Sequence, residues 1–592
     1  MTESDHPGRH HKATGSSFVR DVIFAGLPPR GRDWALMAAA GLLATAIQGY
    51  NYGFNDQAVE LPFVKYFVNP ALYPGDILFD SVATKQPFLW RLLAAPAEVV
   101  PLSALIAILH VVASVLTIIG VWALAVNLTR SRKSAGVGFL LVTLSVPMAY
   151  WLGLDPVRVV WAELVQRSVV FPWLLFALVL ALHLRLLPAM LLIGLSVNIH
   201  PMSAGVVGMM IFAGALLDPQ ARRSLPFATI AAAVCASPML IGIAMQPGEA
   251  GASTAQNQQW FDLLRLRMGH HIFPGSWELS RWLGTLFVLA IGLRAHLAVG
   301  LARRRHRTAM AWFVVPLLLW IPGFIFTELR PVPLLALAQL FRGTKFAVLI
   351  GLLYFGHHQV LRMSTGRWGQ IATAWAALAV TPVLWVAGLP AAAIVALPHL
   401  LRPDRGAASA DDGVDWPQRV AVAGLLVVLA GGGAMAVHQR AEAQWTNWWG
   451  GVSAEWHDVQ RWVREHTPID TMVLVPPTSK GFRFFSERPV VGTLKDGGPH
   501  ENDADNMIEW WRRMQDLGCE AAGPDQIRCT NFRSFSAEEL VSLGERYDAD
   551  LLVTWTDHPL PWPPLYQNDP WAVYDLPIPS RAGRGAATGI GE

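Results

Sequence analysis

Asp56 and Glu60 follow the first long apolar run of the 592-residue chain and stand one helical turn apart. A carboxylate at the edge of an apolar region can take a proton from a bound hydroxyl. It can equally cap a surface helix. Farther along, Arg265 and Arg267 precede the adjacent pair His270-His271, and Arg342 with Lys345 stands just before another apolar run. Guanidinium groups suit two-point contact with a phosphate, and an imidazole can add a hydrogen bond or a proton. Other readings stand beside this one: a solvated helix face for Arg265 and Arg267, hydrogen-bonded structural histidines, and interfacial anchors that snorkel for Arg342 and Lys345. Metal binding by His270 and His271 is weakened by their adjacency, since the i, i+4 spacing is what sets two ligands on one helix face. His200, between Asn198 and Pro201 in an apolar stretch, reads as a structural group at a helix break, with a functional role as the second reading.

The elements that must position these residues follow from composition. The chain is 53% hydrophobic and only 15% charged, against about 25% charged for an average soluble domain. Residues 1–439 carry 32 Lys+Arg against 20 Asp+Glu, and residues 440–592 carry 14 against 23. A basic, apolar body therefore precedes an acidic, water-loving domain. The basic residues lie in short clusters between apolar runs, a membrane-topology pattern rather than the basic stripe of a nucleic-acid binder, so no nucleic-acid partner is expected.

A bilayer crossing needs about 20 apolar residues. Runs near 34–52, 101–128, 136–153, 168–185, 187–199, 202–217, 226–245, 281–302, 308–327, 344–361, 370–387, 389–401 and 419–437 predict a membrane all-α bundle of about 11–13 helices. The positive-inside bias puts the N-terminal segment 1–33, Arg130 to Lys133, Arg222-Arg223, Arg303 to Arg307 and Arg362 with Arg367 on the cytoplasmic side. An odd number of crossings then places residues 440–580 outside, as a periplasmic or extracytoplasmic domain of a multi-pass plasma-membrane protein. No cleavable leader is expected, because the first apolar run begins about 33 residues in.

Two long outer loops, 53–100 and 246–280, interrupt the bundle of residues 34–439. The Pro-broken stretch from Pro87 to Pro101 suits helices lying along the membrane. Residues 154–167, with Trp161, Leu164 and Val165 at helical spacing, predict another interfacial helix. Beyond residue 440 the pattern changes to helices near 456–462, 506–517 and 537–547 and strands at 472–475, 551–555 and 571–574, a small α/β domain. It has no phosphate-binding glycine loop. Cys519 and Cys529 flank Gly523-Pro524-Asp525, and a disulfide is expected in an extracytoplasmic domain. Cys235 reads as a small buried residue, and the Gly/Ala-rich tail 581–592 as disordered.

This layout resembles the GT-C class of membrane glycosyltransferases, which includes oligosaccharyltransferase catalytic subunits, protein mannosyltransferases and aminoarabinose transferases. Trp462-Val463-Arg464-Glu465-His466-Thr467-Pro468, then Val473-Leu474-Val475-Pro476-Pro477 and Gly481-Phe482-Arg483, is similar to the start of the outer domain in bacterial relatives of that class. The resemblance implies a polyprenyl-phosphate-linked sugar donor and a carboxylate in the first outer loop that acts as base or metal partner. Asp56 stands at that place, with Glu60 beside it, and Arg265, Arg267, His270, His271, Arg342 and Lys345 become candidates for the leaving phosphate. Asn55-Asp56 departs from the paired acidic residues of many members, so a divalent metal stays possible but without the support of paired carboxylates, and the cofactor is left unknown. It names no protein partner beyond the bilayer and the donor. A non-catalytic assembly protein of the same architecture and a transporter are the rival readings.

Overall fold

The computed structural model of the chain describes residues 15–80, 88–144, 159–245, 254–362, 453–523 and 525–578. The runs at 370–387, 389–401 and 419–437 and the tail from 581 lie outside them. The other apolar runs fold as helices α1 (Gly31–Gln48), α2 (Gln57–Val68), α3 (Phe88–Ala97), α4 (Leu102–Thr129), α5 (Arg132–Leu144), α6 (Gln166–Leu182) and α7 (Leu186–Val197). They continue as α8 (Pro201–Leu216), α9 (Pro219–Ala244), α10 (Thr254–Ile272), α11 (Leu279–Val299), α12 (Arg304–Leu318) and α13 (Thr344–Arg362).

Local chemistry sets the helix starts. Asp218 accepts from the amides of Gln220 (2.8 Å) and Ala221 (3.2 Å), with Pro219 at the first position of α9. At the break between α7 and α8, His200 Nδ1 accepts from the Ser203 amide at 3.3 Å. Asn198 serves the same break, donating to the Cys235 carbonyl at 2.8 Å and accepting from the Met239 amide at 3.0 Å. Among the described residues, five helical stretches, 102–129, 219–244, 281–299, 304–329 and 333–362, are long and apolar enough to cross a membrane. Their outward faces are apolar: Ile108, Val111, Val112 and Val115 on α4, and Phe227, Ile230, Val234 and Ile241 on α9, are all exposed. Water opposes such stripes and lipid accepts them.

The C-terminal domain comprises α14 (Ala454–His466), β1 (Val473–Leu474), α15 (Ala504–Asp516), β2 (Cys519–Gly523), β3 (Gln526–Cys529), α16 (Ala537–Tyr547), β4 (Leu551–Trp555), β5 (Tyr566–Gln567) and β6 (Trp571–Asp575). Its sheet has the order β1-β4-β6-β5, with β1 and β4 parallel and the other neighbours antiparallel. Both faces are covered. Leu552 packs toward α15 and α16 with Leu474, Trp510 and Leu540, while Leu551 and Val553 face Trp456, Val459 and Val463 of α14. This is why β4 reads as an unbroken apolar run. The Ser536 hydroxyl accepts from the Glu539 amide (3.2 Å) while Glu539 accepts from the Ser536 amide (2.7 Å), a capping box that starts α16. Strands β2 and β3 form a separate hairpin, in which Cys519 and Cys529 are directly opposed and joined by a disulfide.

One expectation fails. Residues 159–165 are not an interfacial helix; the helix begins at Gln166, and Trp161, Leu164 and Val165 are buried. The Leu164 carbonyl is taken by the Gln57 side chain at 3.0 Å, and Ser168 closes the start of α6 against both the amide and the carbonyl of Val165. A long-range partner thus replaces the helical ladder.

The helical body and the C-terminal domain are locked by buried charge. The Arg483 guanidinium bridges the Asp76 carboxylate (2.6 and 3.0 Å) and the Asp496 carboxylate (both 3.0 Å), and all three side chains are almost fully buried. Asp76 also accepts from the Val490 amide, and Asp496 from the Thr493 amide. Burial opposes the Arg483 charge, yet the two carboxylates raise its affinity for the proton above the ordinary guanidinium range.

Candidate functional site

The turn that carries Asp56 is fixed by Gln57, which is fully buried. Its Oε1 accepts from the Gly53 amide at 2.9 Å while its Nε2 donates to Leu164. Gly53 has φ +69°, and a Cβ there would lie 2.6 Å from ring atoms of Phe484 and Phe485. Glycine therefore serves both the left-handed turn and the close approach of the C-terminal domain. Asp56 opens α2 without a side-chain capping hydrogen bond. Its Oδ2 accepts from Arg167 Nη2 at 3.0 Å and its Oδ1 from Lys495 Nζ at 2.7 Å. Arg167 lies over the Trp161 ring at 4.5 Å. Lys495 is adjacent in sequence to Asp496, part of the buried lock.

Asp56 and Glu60 line a cavity of ≈ 200 Å³, together with Arg167, His200, Arg267, His270, His271, Gln339, Arg342, Lys495 and Glu501. Helix α10 supplies one wall. It kinks at Met268 (φ −123°, ψ 16°), and the Trp277 indole donates to the Gly269 carbonyl just beyond at 3.0 Å. Arg267 is directed inward and donates to the Leu494 carbonyl at 3.3 Å. Burial lowers its proton affinity somewhat while nearby carboxylates, Asp56 first, oppose that. His270 and His271 pack ring to ring at 4.0 Å, and His270 Nδ1 lies 3.0 Å from Asp525 Oδ1. Burial, then the charge of Arg342, pushes the His271 imidazole well below its ordinary value, so it is neutral at pH 7. Arg342 donates to Gln339 Oε1 at 2.7 Å from the short turn Leu340–Gly343.

The structure does not bring two of the expected residues to this cavity. Arg265 pairs with Glu328 at 2.9 Å and lies over the Phe273 ring at 4.4 Å. Two residues along a helix are about 200° of turn apart, so Arg265 and Arg267 face opposite ways. Lys345 lies in α13, buried, 5.5 Å above the Phe346 ring. Conversely, sequence reasoning passed over Arg167, Lys495 and Glu163 as site residues. Glu163 is buried behind Asp56, its Oε2 makes no hydrogen bond, and burial followed by the Asp56 charge pushes its carboxyl up to about 8. It is therefore largely protonated at neutral pH. Among the described residues, no three His, Cys, Asp or Glu side chains are grouped to hold a metal ion.

A family model described as a domain of unknown function (DUF6798) matches residues 454–517, from α14 through α15. No curated protein matches the chain. Among solved structures, the chain is similar to the archaeal oligosaccharyltransferase AglB from Archaeoglobus fulgidus in complex with an inhibitory peptide and a dolichol-phosphate, at 12% identity over 88% of this chain and 69% of that one, with a TM-score of 0.42. The apo form of the Archaeoglobus fulgidus oligosaccharyltransferase gives 12% identity, the same coverage and a TM-score of 0.44. ArnT from Cupriavidus metallidurans in the apo state gives 11% identity over 92% of this chain and 97% of that one, with a TM-score of 0.43.

Proposed function

We propose that the chain is a multi-pass membrane glycosyltransferase of the GT-C kind. It moves a sugar from a polyprenyl-phosphate-linked donor to an acceptor at the outer face of the plasma membrane, with the N-terminus in the cytoplasm and the C-terminal domain outside. The observation that carries this reading is a cavity that carboxylates Asp56 and Glu60 line together with Arg267, Arg342 and the His270-His271 pair, at the seam between an apolar body and a polar domain.

In this reading the acceptor oxygen bonds to the anomeric carbon as the carbon–oxygen bond to phosphate breaks, and the polyprenyl phosphate leaves. Asp56 takes the acceptor proton. Arg267 and Arg342 meet the charge that develops on the phosphate, acting where water is largely excluded. Arg167 and Lys495 each engage one Asp56 oxygen and keep the carboxylate in place, and the remaining lone pairs are the ones that meet an incoming hydroxyl. The same double ion pair favours a second reading, a non-catalytic assembly protein in which Asp56 only joins the two halves.

Lipid-linked sugar profiling in a deletion strain separates the two. Donor accumulation relieved by the wild-type chain but not by Asp56→Asn supports transfer. Relief by Asp56→Asn supports the assembly role, and altered solute uptake without donor accumulation removes both in favour of a transporter.

A further inference from the structure

We propose that Asp525 is a positioning residue for His270, holding the imidazole for contact with the phosphate of the lipid-linked donor, and that the Cys519–Cys529 disulfide keeps Asp525 in place. This rests on the function proposed above. An ionised carboxylate only accepts hydrogen bonds, so with Asp525 Oδ1 at 3.0 Å the His270 Nδ1 carries a hydrogen; a phosphate oxygen also only accepts, so Nε2 meets it as a donor, with the ring in its doubly protonated form. His270 lines the cavity beside Arg342 and Arg267, where an anion would be drawn.

The origin of Asp525 makes the contact informative. It comes from the end of the β2–β3 hairpin, 255 residues away in sequence, and has φ +58°, a left-handed conformation that Asp tolerates better than most residues. In β2, Cys519 is buried while Glu520, Ala521 and Ala522 are exposed, and in β3 Ile527 and Cys529 pack partly buried against the same core. The disulfide joins its two strands at their base. On the other side, Gly269 lies so close that a Cβ would stand 2.7 Å from Asp525 Cβ. Glycine next to the functional histidine thus admits the hairpin tip. A half-exposed His–Asp pair adds little to stability, which leaves orientation of the ring as its physical effect.

The test uses the full-length protein in detergent, with binding of a polyprenyl phosphate as probe and inorganic phosphate as competitor. Asp525→Asn, whose amide can donate as well as accept, should weaken binding about tenfold, the lower end of what an orienting carboxylate contributes to a functional histidine. His270→Ala should do the same, and the double variant should lose no more than either alone. Gly269→Ala and Cys519→Ser/Cys529→Ser should each reproduce the loss with Asp525 and His270 intact. Losses that add in the double variant, or wild-type affinity in Asp525→Asn, overturn the proposal. Should the wild type not bind the lipid, the functional reading fails, and the positioning role is then read by carbethoxylation of His270 under native conditions, followed by peptide fragmentation. The rate should fall several-fold in Asp525→Asn and on reduction of the disulfide; an unchanged rate overturns the positioning role.

Discussion

Helix α9 leaves Phe227, Ile230, Val234 and Ile241 exposed, whereas α15 buries Met507, Trp510 and Met514 and turns Glu509 and Arg512 toward solvent. The first pattern belongs to a helix in lipid and the second to a helix in water. The two regions meet at a surface that suits neither solvent, and there the chain places Asp76, Arg483 and Asp496 out of contact with both. The difference teaches where, among the described residues, a fully buried charge cluster sits: at the seam.

If the seam is also where the chemistry is done, Asp56→Asn should lower transfer about 10²- to 10⁴-fold, the range for a general base, with an unchanged unfolding profile; turnover in membranes measures it. Arg483→Ala strands two buried carboxylates and should cost about 3–5 kcal/mol in denaturant unfolding of the solubilised protein. Arg512→Ala, which removes an exposed pair with Glu509, should cost no more than about 1 kcal/mol, and equal losses would break the comparison.

Within each half the contrast continues. Met514→Ala in the domain core should cost about 2–5 kcal/mol, and Ile230→Ala on the outward face within about 0.5 kcal/mol in detergent. A pH-dependent effect concerns Glu163. Its folded-state pKa of about 8 lies above the ordinary 4.5, so between those values the folded chain keeps a proton that the unfolded chain has lost. Stability should fall as pH rises through this window and level off above it. Glu163→Gln should flatten that slope in pH-dependent unfolding; an unchanged slope assigns it to other groups.

The limits of the sequence follow the same geography. Helices α15 and α16 were legible because Ser536 and Glu539 write a cap and because apolar residues repeat at helical spacing. The β2–β3 hairpin was not, since Cys-Glu-Ala-Ala-Gly has no alternating apolar pattern. Asp56, His270, His271 and Arg342 were found from residue type and their place beside apolar runs. Arg167 and Lys495 are 111 and 439 residues from Asp56, and long-range contacts such as the Gln57–Leu164 bond and the Arg483 lock bring them to it. Such couplings leave no local period. Arg265 misled because two arginines close in sequence look like one cluster until the helix turns one away.

The Arg483 lock also bears on how the protein is made. Asp76 emerges from the ribosome 407 residues before the guanidinium that neutralises it. During that interval its carboxylate stays hydrated, so the segment around Asp76 cannot settle into its native packing. The C-terminal domain thus completes the packing of a segment synthesised long before it. A chain arrested before Arg483 would carry an unfinished loop, a handle by which quality-control proteases could tell it from finished protein.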